Sequence, residues 1–272
     1  MLMDFEEKIK LYEGREYIVV KSNAIVQKSR YELSVTEQRT IAYACSMIKP
    51  ITPEAKAKQS IYCPDSPWQL EYDFNIRDYA RICGLDCDNG KIYEETKAIL
   101  KGLQQKIMWL TLESGTETTV AWFSKVWTDK RSGKAKIRFD EDMTPYLFDL
   151  QEKFLSYGLK NILAMKSQYS IRLYEILRSY TFQKSKTFEI DELKRLLMVE
   201  NVKSYANFNL FKTKVLEMAQ GEINELTDIT VLFEPILKGR KTVKVKFDMK
   251  LKDTWTAGSC AAVADKKLGK IQ

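Results

Sequence analysis

Histidine is missing altogether from the 272 residues. Catalytic triads of the Ser-His-Asp and Cys-His kinds are therefore excluded, as is any strand-nicking centre that holds its metal with a histidine pair. Phosphate cradles rich in glycine are missing too. Lys91, Lys134 and Lys270 each follow a glycine, but none has the second upstream glycine or the following hydroxyl residue of a P-loop, and no Gly-x-Gly-x-x-Gly occurs. Cysteine is sparse and scattered. Cys45, Cys63, Cys83, Cys87 and Cys260 are odd in number and form a poor disulfide framework. A metal at Cys83 and Cys87 would need more thiolates or a distant carboxylate, so no metal or cofactor is expected, and Cys45 and Cys83 read as small buried residues. No apolar run approaches membrane length, and the acidic stretch Met1–Glu7 lacks an apolar signal segment. These absences point to a cytoplasmic protein with no membrane partner.

What is present is a core and an uneven charge. Hydrophobic residues make up 44% of the chain, with only 11 Gly and 6 Pro, which suits one large or two ordinary domains. The net charge is +7. Residues 1–150 carry 22 Lys+Arg against 23 Asp+Glu, a balance of −1, and residues 151–272 carry 22 against 14, a balance of +8. A basic half beside a neutral half implies that one half makes most of a contact with a polyanion.

The basic half holds the most patterned stretch, from Tyr205 to Met249. Phe208, Phe211, Val215, Met218, Ala219 and Ile223 recur at helical spacing and predict one buried stripe. Asn209, Thr213, Glu217 and Gln220 fall opposite, flanked by Lys212 and Lys214, with Asn207 or Ser204 as the cap. Ile229, Val231 and Phe233 then alternate as a strand, Lys238-Gly-Arg-Lys241 reads as a turn, and Val243, Val245 and Phe247 alternate inward against outward Thr242, Lys244 and Lys246. A helix with a polar, cationic outer face followed by a ribbon with a cationic tip is the outline of a winged helix, able to lay the helix in a major groove and the ribbon on neighbouring phosphates.

Along the rest of the chain, residues 1–16 read as a charged lead-in and Tyr17–Val20 as β-prone. Ser34-Val-Thr-Glu37 is a capping box opening a helix through Ile48, stopped by Pro50 and Pro53 before a loop over 50–67. A strand at Gln69–Ile76, a helix at Arg77–Cys83, a turn through Asp86–Gly90, a helix from Lys91 to Lys106 and β runs at Ile107–Leu112, Thr119–Val126 and Ala135–Phe139 follow. An acidic helix and hinge occupy 140–156, and the domain boundary is expected at 150. Then come a helix over Ser167–Phe182, a strand at Phe188–Ile190 and a helix at Glu192–Met198, with 251–272 expected to be a flexible tail. One similarity organises all this. Phe74-Asn-Ile76 with Arg77–Cys83 matches Phe188-Glu-Ile190 with Asp191–Leu197, offset by 114 residues. The chain therefore reads as α+β and as two copies of one fold.

Two other clusters invite a chemical reading. Asp140, Glu141 and Asp142 have the composition of a Mg²⁺ site, but acids that follow a strand and open a helix complement its dipole. Tyr93, Trp109, Trp122, Trp127 and Tyr146 have rings able to stack on bases, yet their spacing favours core or interface positions.

Three segments together resemble a known family. They are Val20-Lys-Ser-Asn23 through Leu33-Ser-Val-Thr-Glu-Gln38 and Ile41; Met165-Lys-Ser-Gln-Tyr-Ser-Ile-Arg-Leu-Tyr-Glu-Ile-Leu177; and the helix and ribbon with Gly221-Glu-Ile-Asn224, Ile229-Thr-Val231, Gly239-Arg240 and Val243–Phe247. The chain resembles the iteron-binding plasmid replication initiator (Rep) proteins of theta-type replication. The resemblance implies two winged helices in tandem, each a helix-turn-helix with a β-wing. It implies a non-enzymatic protein that binds direct repeats in double-stranded plasmid origin DNA as a monomer, helps open the origin and recruits the host initiator and replicative helicase, while a homodimer represses its own gene. Residues 1–150 would dimerise and touch the DNA backbone, and 151–250 would make the main sequence-specific contacts. The residues expected at DNA are Asn209, Lys212, Thr213 and Lys214 on the second helix and Lys238, Arg240, Lys241 and Lys244 on its wing. Lys91, Lys97, Lys101, Lys130, Arg131 and Lys134 are their weaker counterparts in the first copy. Three rivals stay open: a dimeric winged-helix transcriptional repressor, a nuclease or primase built on Asp140, Glu141 and Asp142, and a basic RNA-binding or scaffold protein.

Overall fold

The computed structural model describes residues 17–48, 69–87, 90–150 and 153–252. The lead-in, the loop with Pro50, Pro53 and Cys63, part of the Asp86–Gly90 turn, Cys260 and the tail beyond 252 lie outside the described residues. The described chain opens with β1 (Ile18–Ser22), α1 (Asn23–Lys28) and the two-residue β2 (Ser29–Arg30). Next is α2 (Val35–Met47), whose capping box forms as expected: the Ser34 hydroxyl accepts from the Glu37 N–H while the Glu37 carboxylate accepts from the Ser34 N–H. Then follow β3 (Glu71–Asn75), α3 (Ile76–Cys83), α4 (Ile92–Gln105), β4 (Ile107–Thr111), β5 (Glu117–Ala121), β6 (Phe123–Asp129) and β7 (Lys134–Phe139). The acidic segment forms a short 3₁₀ turn (Glu141–Met143) and a π-turn (Thr144–Phe148) rather than a regular helix. Pro145 supplies part of the reason, since it has no N–H to donate.

The second half contains β8 (Phe154–Gly158), α5 (Leu159–Ala164), α6 (Gln168–Ser179), β9 (Ser185–Glu189) and α7 (Ile190–Leu196). A continuous helical run over 208–226 follows, made of α8 (Phe208–Phe211), a π-turn (Lys212–Glu217) and α9 (Met218–Leu226). The long hairpin β10 (Ile229–Lys238) and β11 (Lys241–Leu251) ends it. Among the described residues four small sheets result, ordered β1-β8, β2-β4-β5, β3-β7-β6 and β10-β11-β9. The β1–β8 pair, with Ile18 opposite Gly158, ties the start of the described chain to residues beyond the boundary expected at 150.

Each half is a winged helix, and the duplication repeats in detail. In the first, α2 leads to β3, α3, α4 and the hairpin β6–β7; in the second, α6 leads to β9, α7, the 208–226 run and the hairpin β10–β11. Phe74 on β3 faces Ala135, and Phe188 on β9 faces Val245. The turn after the short helix recurs bond for bond. The Leu85 N–H reaches the Ala80 carbonyl at 2.8 Å, and the Val199 N–H reaches the Lys194 carbonyl at 2.9 Å. Both are the long bond of a Schellman motif, which needs a left-handed residue at its corner. Gly84 (φ 71°) fills that corner in the first copy and Met198 (φ 56°) in the second. Among the described residues the β4–β5 hairpin between α4 and the first wing has no counterpart in the second copy.

The two copies meet around α6, whose residues Ile171 to Leu177 are all buried. Lys21 on β1, 3% exposed, places its ammonium 2.7 Å from the Glu175 carboxylate. The Tyr157 hydroxyl also donates to Glu175, and the Tyr31 hydroxyl does so at 3.3 Å. Arg172, one turn earlier, reaches the Ser29 carbonyl at 2.6 Å and the Leu196 carbonyl at 3.5 Å, with its guanidinium 4.5 Å over the Tyr31 ring. Burial would push the Glu175 carboxyl up, but the Lys21 charge and hydrogen bond, the Tyr157 hydroxyl and the Arg172 charge outweigh it and hold it below its ordinary range. Burial likewise opposes the Lys21 ammonium, and Glu175 reverses that and raises it.

The depressed carboxyl contributes stability above its unfolded pKa, and that contribution is lost as pH falls through the folded value. The raised ammonium keeps its contribution below the unfolded lysine pKa and loses it as pH rises through the folded value. Glu175→Gln is accordingly expected to flatten the fall of stability on acidification. Glu175→Ala, which strands Lys21, is expected to cost about 3–5 kcal/mol in urea unfolding, and Lys21→Met with Glu175→Leu much less.

Candidate nucleic-acid interface

The helical run 208–226 is laid down as its pattern demands. Asn207 caps it, its side chain accepting from the Asn209 N–H at 2.9 Å. Phe211, Val215, Ala219 and Ile223 are fully buried, joined by Leu216. Met218, expected in that stripe, faces solvent instead. The cause is the π-turn at Lys212–Glu217, which takes more residues per turn than the 3.6 of an α-helix and so shifts the phase of all that follows.

The inner side of the run carries polar residues that lock it in place. Gln220, expected to face outward, turns toward β10, and its side-chain oxygen accepts from the Phe233 N–H at 3.1 Å. Asn224 takes the Val231 N–H at 2.6 Å and gives its own amide to the Val231 carbonyl at 2.9 Å. β10 is an edge strand, so these side chains stand where a neighbouring strand would. Glu222 accepts from the Lys166 and Ser167 N–H groups leading into α6, at 3.2–3.3 Å. Beyond β11, the Lys252 ammonium meets the Asn224 and Thr227 carbonyls at 2.6 Å each, a cation on a helix C-terminus. Leu251 and Lys252, expected in the tail, therefore belong to the fold.

The outer side of the run presents Asn209, Thr213 and Lys214, all exposed. Lys212 is half-buried and ion-paired with Glu217 at 3.1 Å. The wing turn has Gly239 at φ 64°, in the first of its two central positions, between Lys238 and Lys241. This is the placement a type II′ hairpin favours. Lys238, Arg240 and Lys241 are exposed at the tip. Lys244 sits farther down the wing, 2.7 Å from Glu189, so its charge is partly neutralised.

In the first copy, α4 displays Lys97 and Lys101 beside Glu94, with Lys91 at its N-cap. Lys130 at the wing tip reaches back to Glu94 at 3.8 Å and lies 5.7 Å over the Tyr93 ring, so tip and helix start come together. Arg131 and Lys134 are exposed. Asp140 accepts from the Asp142 N–H and Glu141 pairs with Arg138 at 2.8 Å, as expected of a helical start. Cys45 and Cys83 are buried, and burial pushes the Cys45 thiol up to about 11. Trp122 is core, whereas Trp127 lies between the Lys125 and Lys136 ammoniums, 4.9 and 5.6 Å from its ring. Ile107 (53% exposed) and Trp109 (44%) form an apolar outer face on β4. Among the described residues no helix is long and apolar enough to cross a membrane.

Known proteins share this arrangement. The family model described as "Initiator Replication protein, WH1" matches residues 18–178, and the one described as "Initiator Rep protein, WH2" matches residues 189–249. A replication initiation protein of Escherichia coli is 25% identical over 244 residues, covering 87% of this chain and 70% of that protein. A PI protein of Escherichia coli is 32% identical over 132 residues, 43% of this chain and 43% of that protein. The crystal structure of a Pi initiator protein in complex with iteron DNA matches in fold with a TM-score of 0.67 at 21% identity, over 88% of this chain and 99% of that one.

Asn224→Leu removes the partner of two edge groups on β10. It is expected to lower stability by about 1–3 kcal/mol for the unsatisfied backbone and to speed hydrogen exchange at the Val231 amide selectively. Unchanged exchange there would mean that the side chain does not hold the edge.

Proposed function

Because the chain belongs to the initiator replication protein family, with its WH1 and WH2 domains in tandem, we propose that it starts plasmid replication by binding direct repeats in the origin. The observation that carries this reading is the second copy's pairing of an exposed polar helix face with a cationic wing tip, on the half of the chain whose charge is +8. In this reading the 208–226 run enters the major groove, with Asn209, Thr213 and Lys214 at base edges and Lys212 alongside. Lys238, Arg240, Lys241 and Lys244 meet phosphates. The first copy supports binding through the backbone with Lys91, Lys97, Lys101, Lys130, Arg131 and Lys134, a lesser share in keeping with its acids. The work is binding rather than catalysis, followed by origin opening and recruitment of the host initiator and helicase. We place the contact of an autorepressing dimer on the outer face of β4.

A titration against a duplex of the origin repeats and a scrambled duplex, at two salt concentrations, tests the proposal. A preference of about 10³-fold or more for the repeats is expected, and equal, salt-sensitive binding to both would overturn it. Lys241→Ala is expected to weaken both duplexes alike and to lower the salt slope by about 0.9. Asn209→Ala is expected to change sequence preference, by ~1–3 kcal/mol at the contacted base pair. Trp109→Glu is expected to shift sedimentation toward the monomer while leaving repeat binding intact; an unchanged monomer–dimer ratio would remove β4 from the interface.

A further inference from the structure

The outer face of the recognition run is not wholly polar. Leu210 is 43% exposed and Met218 is 40% exposed, and both stand among Asn209, Thr213, Lys214 and Glu217. Single exposed apolar residues are ordinary on a protein surface. These two are set apart by their alignment. In an α-helix, residues four apart drift by about 40°, which over eight residues would carry Met218 well away from Leu210. The wider π-turn at Lys212–Glu217 lies between them and takes back that drift. Leu210, Lys214 and Met218 thus share the exposed side, and Asn209, Thr213 and Glu217 run beside them, while Phe211, Val215, Ala219 and Ile223 stay at 0% exposure. The geometry provides two apolar contacts flanking a cation on a surface otherwise suited to hydrogen bonding.

In the major groove only one base edge is apolar, the 5-methyl group of thymine. We infer that Leu210 and Met218 read thymine methyl groups at two places in each repeat, one on either side of the Lys214 contact. Leucine offers a branched, fixed surface. Methionine's flexible thioether adapts to a methyl whose position depends on local DNA shape. The Lys212–Glu217 pair at 3.1 Å neutralises the carboxylate next to Met218 in sequence, and Glu222, one turn on, is held by the Lys166 and Ser167 N–H groups, so neither stands as a free charge against the duplex. The inference deepens the function proposed above and rests on it, since it needs this face in the groove.

Replacing thymine by deoxyuridine deletes only the methyl group, so the wild-type protein can test the idea without any variant. Three duplexes serve: the origin repeats, the same repeats with uracil for thymine, and a scrambled sequence. Wild type is expected to bind the uracil duplex about fourfold more weakly for each methyl contacted. Leu210→Ala and Met218→Ala, both at solvent-exposed positions, are each expected to bind the thymine duplex more weakly and to narrow the thymine-to-uracil ratio. A clear preference for repeats over scrambled DNA with no loss on uracil substitution would overturn the inference and leave the initiator reading standing. The same wild-type loss in both variants would also overturn it, because the methyl groups would then act through DNA shape. Equal binding of wild type to repeats and scrambled DNA would overturn the initiator reading and, with it, this one.

Discussion

A lysine and a glutamate taken out of water tolerate each other only when both arrive with their remaining hydrogen bonds already arranged. Lys21 and Glu175 meet that condition because four segments converge on them: β1 brings the lysine, α6 the glutamate, β8 Tyr157, and the turn after β2 Tyr31. Arg172 binds β2 at the Ser29 carbonyl, the Tyr31 hydroxyl after it and the end of α7, so a single helix face collects the start of the described chain and both winged helices. Tyr174, the residue before Glu175 on that helix, anchors a second such network. The Tyr174 hydroxyl donates to Asp228 at 2.7 Å and accepts from Asn161 at 2.8 Å, while Arg178 reaches Asp228 at 3.1 Å. Asp228 immediately precedes β10, so the root of the second wing hangs on the same pillar as the first strand.

The 208–226 run and the second wing inherit their position from these contacts. Glu222 joins the recognition run to the start of α6, and Gln220 and Asn224 join it to β10. Helix and wing are thereby held from the inner side, and the outer side carries, besides the Lys212–Glu217 pair, none of these bracing contacts. The first copy uses a thinner version of the device, with Gln104 of α4 donating to the Ser124 carbonyl on β6 at 3.2 Å. Its wing is braced mainly at the tip, where Lys130 meets Glu94 and Tyr93.

Periodic features were readable from residues alone. The buried stripe at Phe211, Val215, Ala219 and Ile223, the capping box at Ser34, the wing turn at Gly239 and the repeat linking Phe74 to Phe188 each depend on neighbours a few residues away or on self-similarity. What escaped was non-local or out of phase. Met218 was misplaced because a π-turn leaves no mark in hydrophobic spacing. Gln220 was misplaced because nothing local says that β10 is an edge needing a side-chain partner. The β1–β8 pairing joins the start of the described chain to its middle, more than 130 residues on, so the strand at Phe154–Gly158 leaves no local signal, and α1 is likewise absent from the periodic pattern. The segment from Met165 to Leu177 stood out by resemblance without a physical reason. The reason is that Arg172, Tyr174 and Glu175 are buried on a helix enclosed on all sides, where amphipathic spacing cannot mark them. Of the DNA-facing candidates, Asn209, Thr213, Lys214, Lys238, Arg240 and Lys241 stand in solvent as charge and alternation suggested, whereas the ion pairs that occupy Lys212, Lys244 and Lys130 had no trace in spacing.

The division of the recognition run into a braced inner side and an idle outer side bears on how such a protein changes its target. In the proposed binding mode, a substitution at 209, 210, 213, 214 or 218 alters what the groove meets and leaves the fully buried stripe and the brace in place. A substitution at 220, 222 or 224 removes a brace and loosens the whole run. On the proposed reading, two descendants of one origin could therefore acquire different addresses through a few surface exchanges, each step leaving a folded protein, and replicate side by side without answering to each other's repeats.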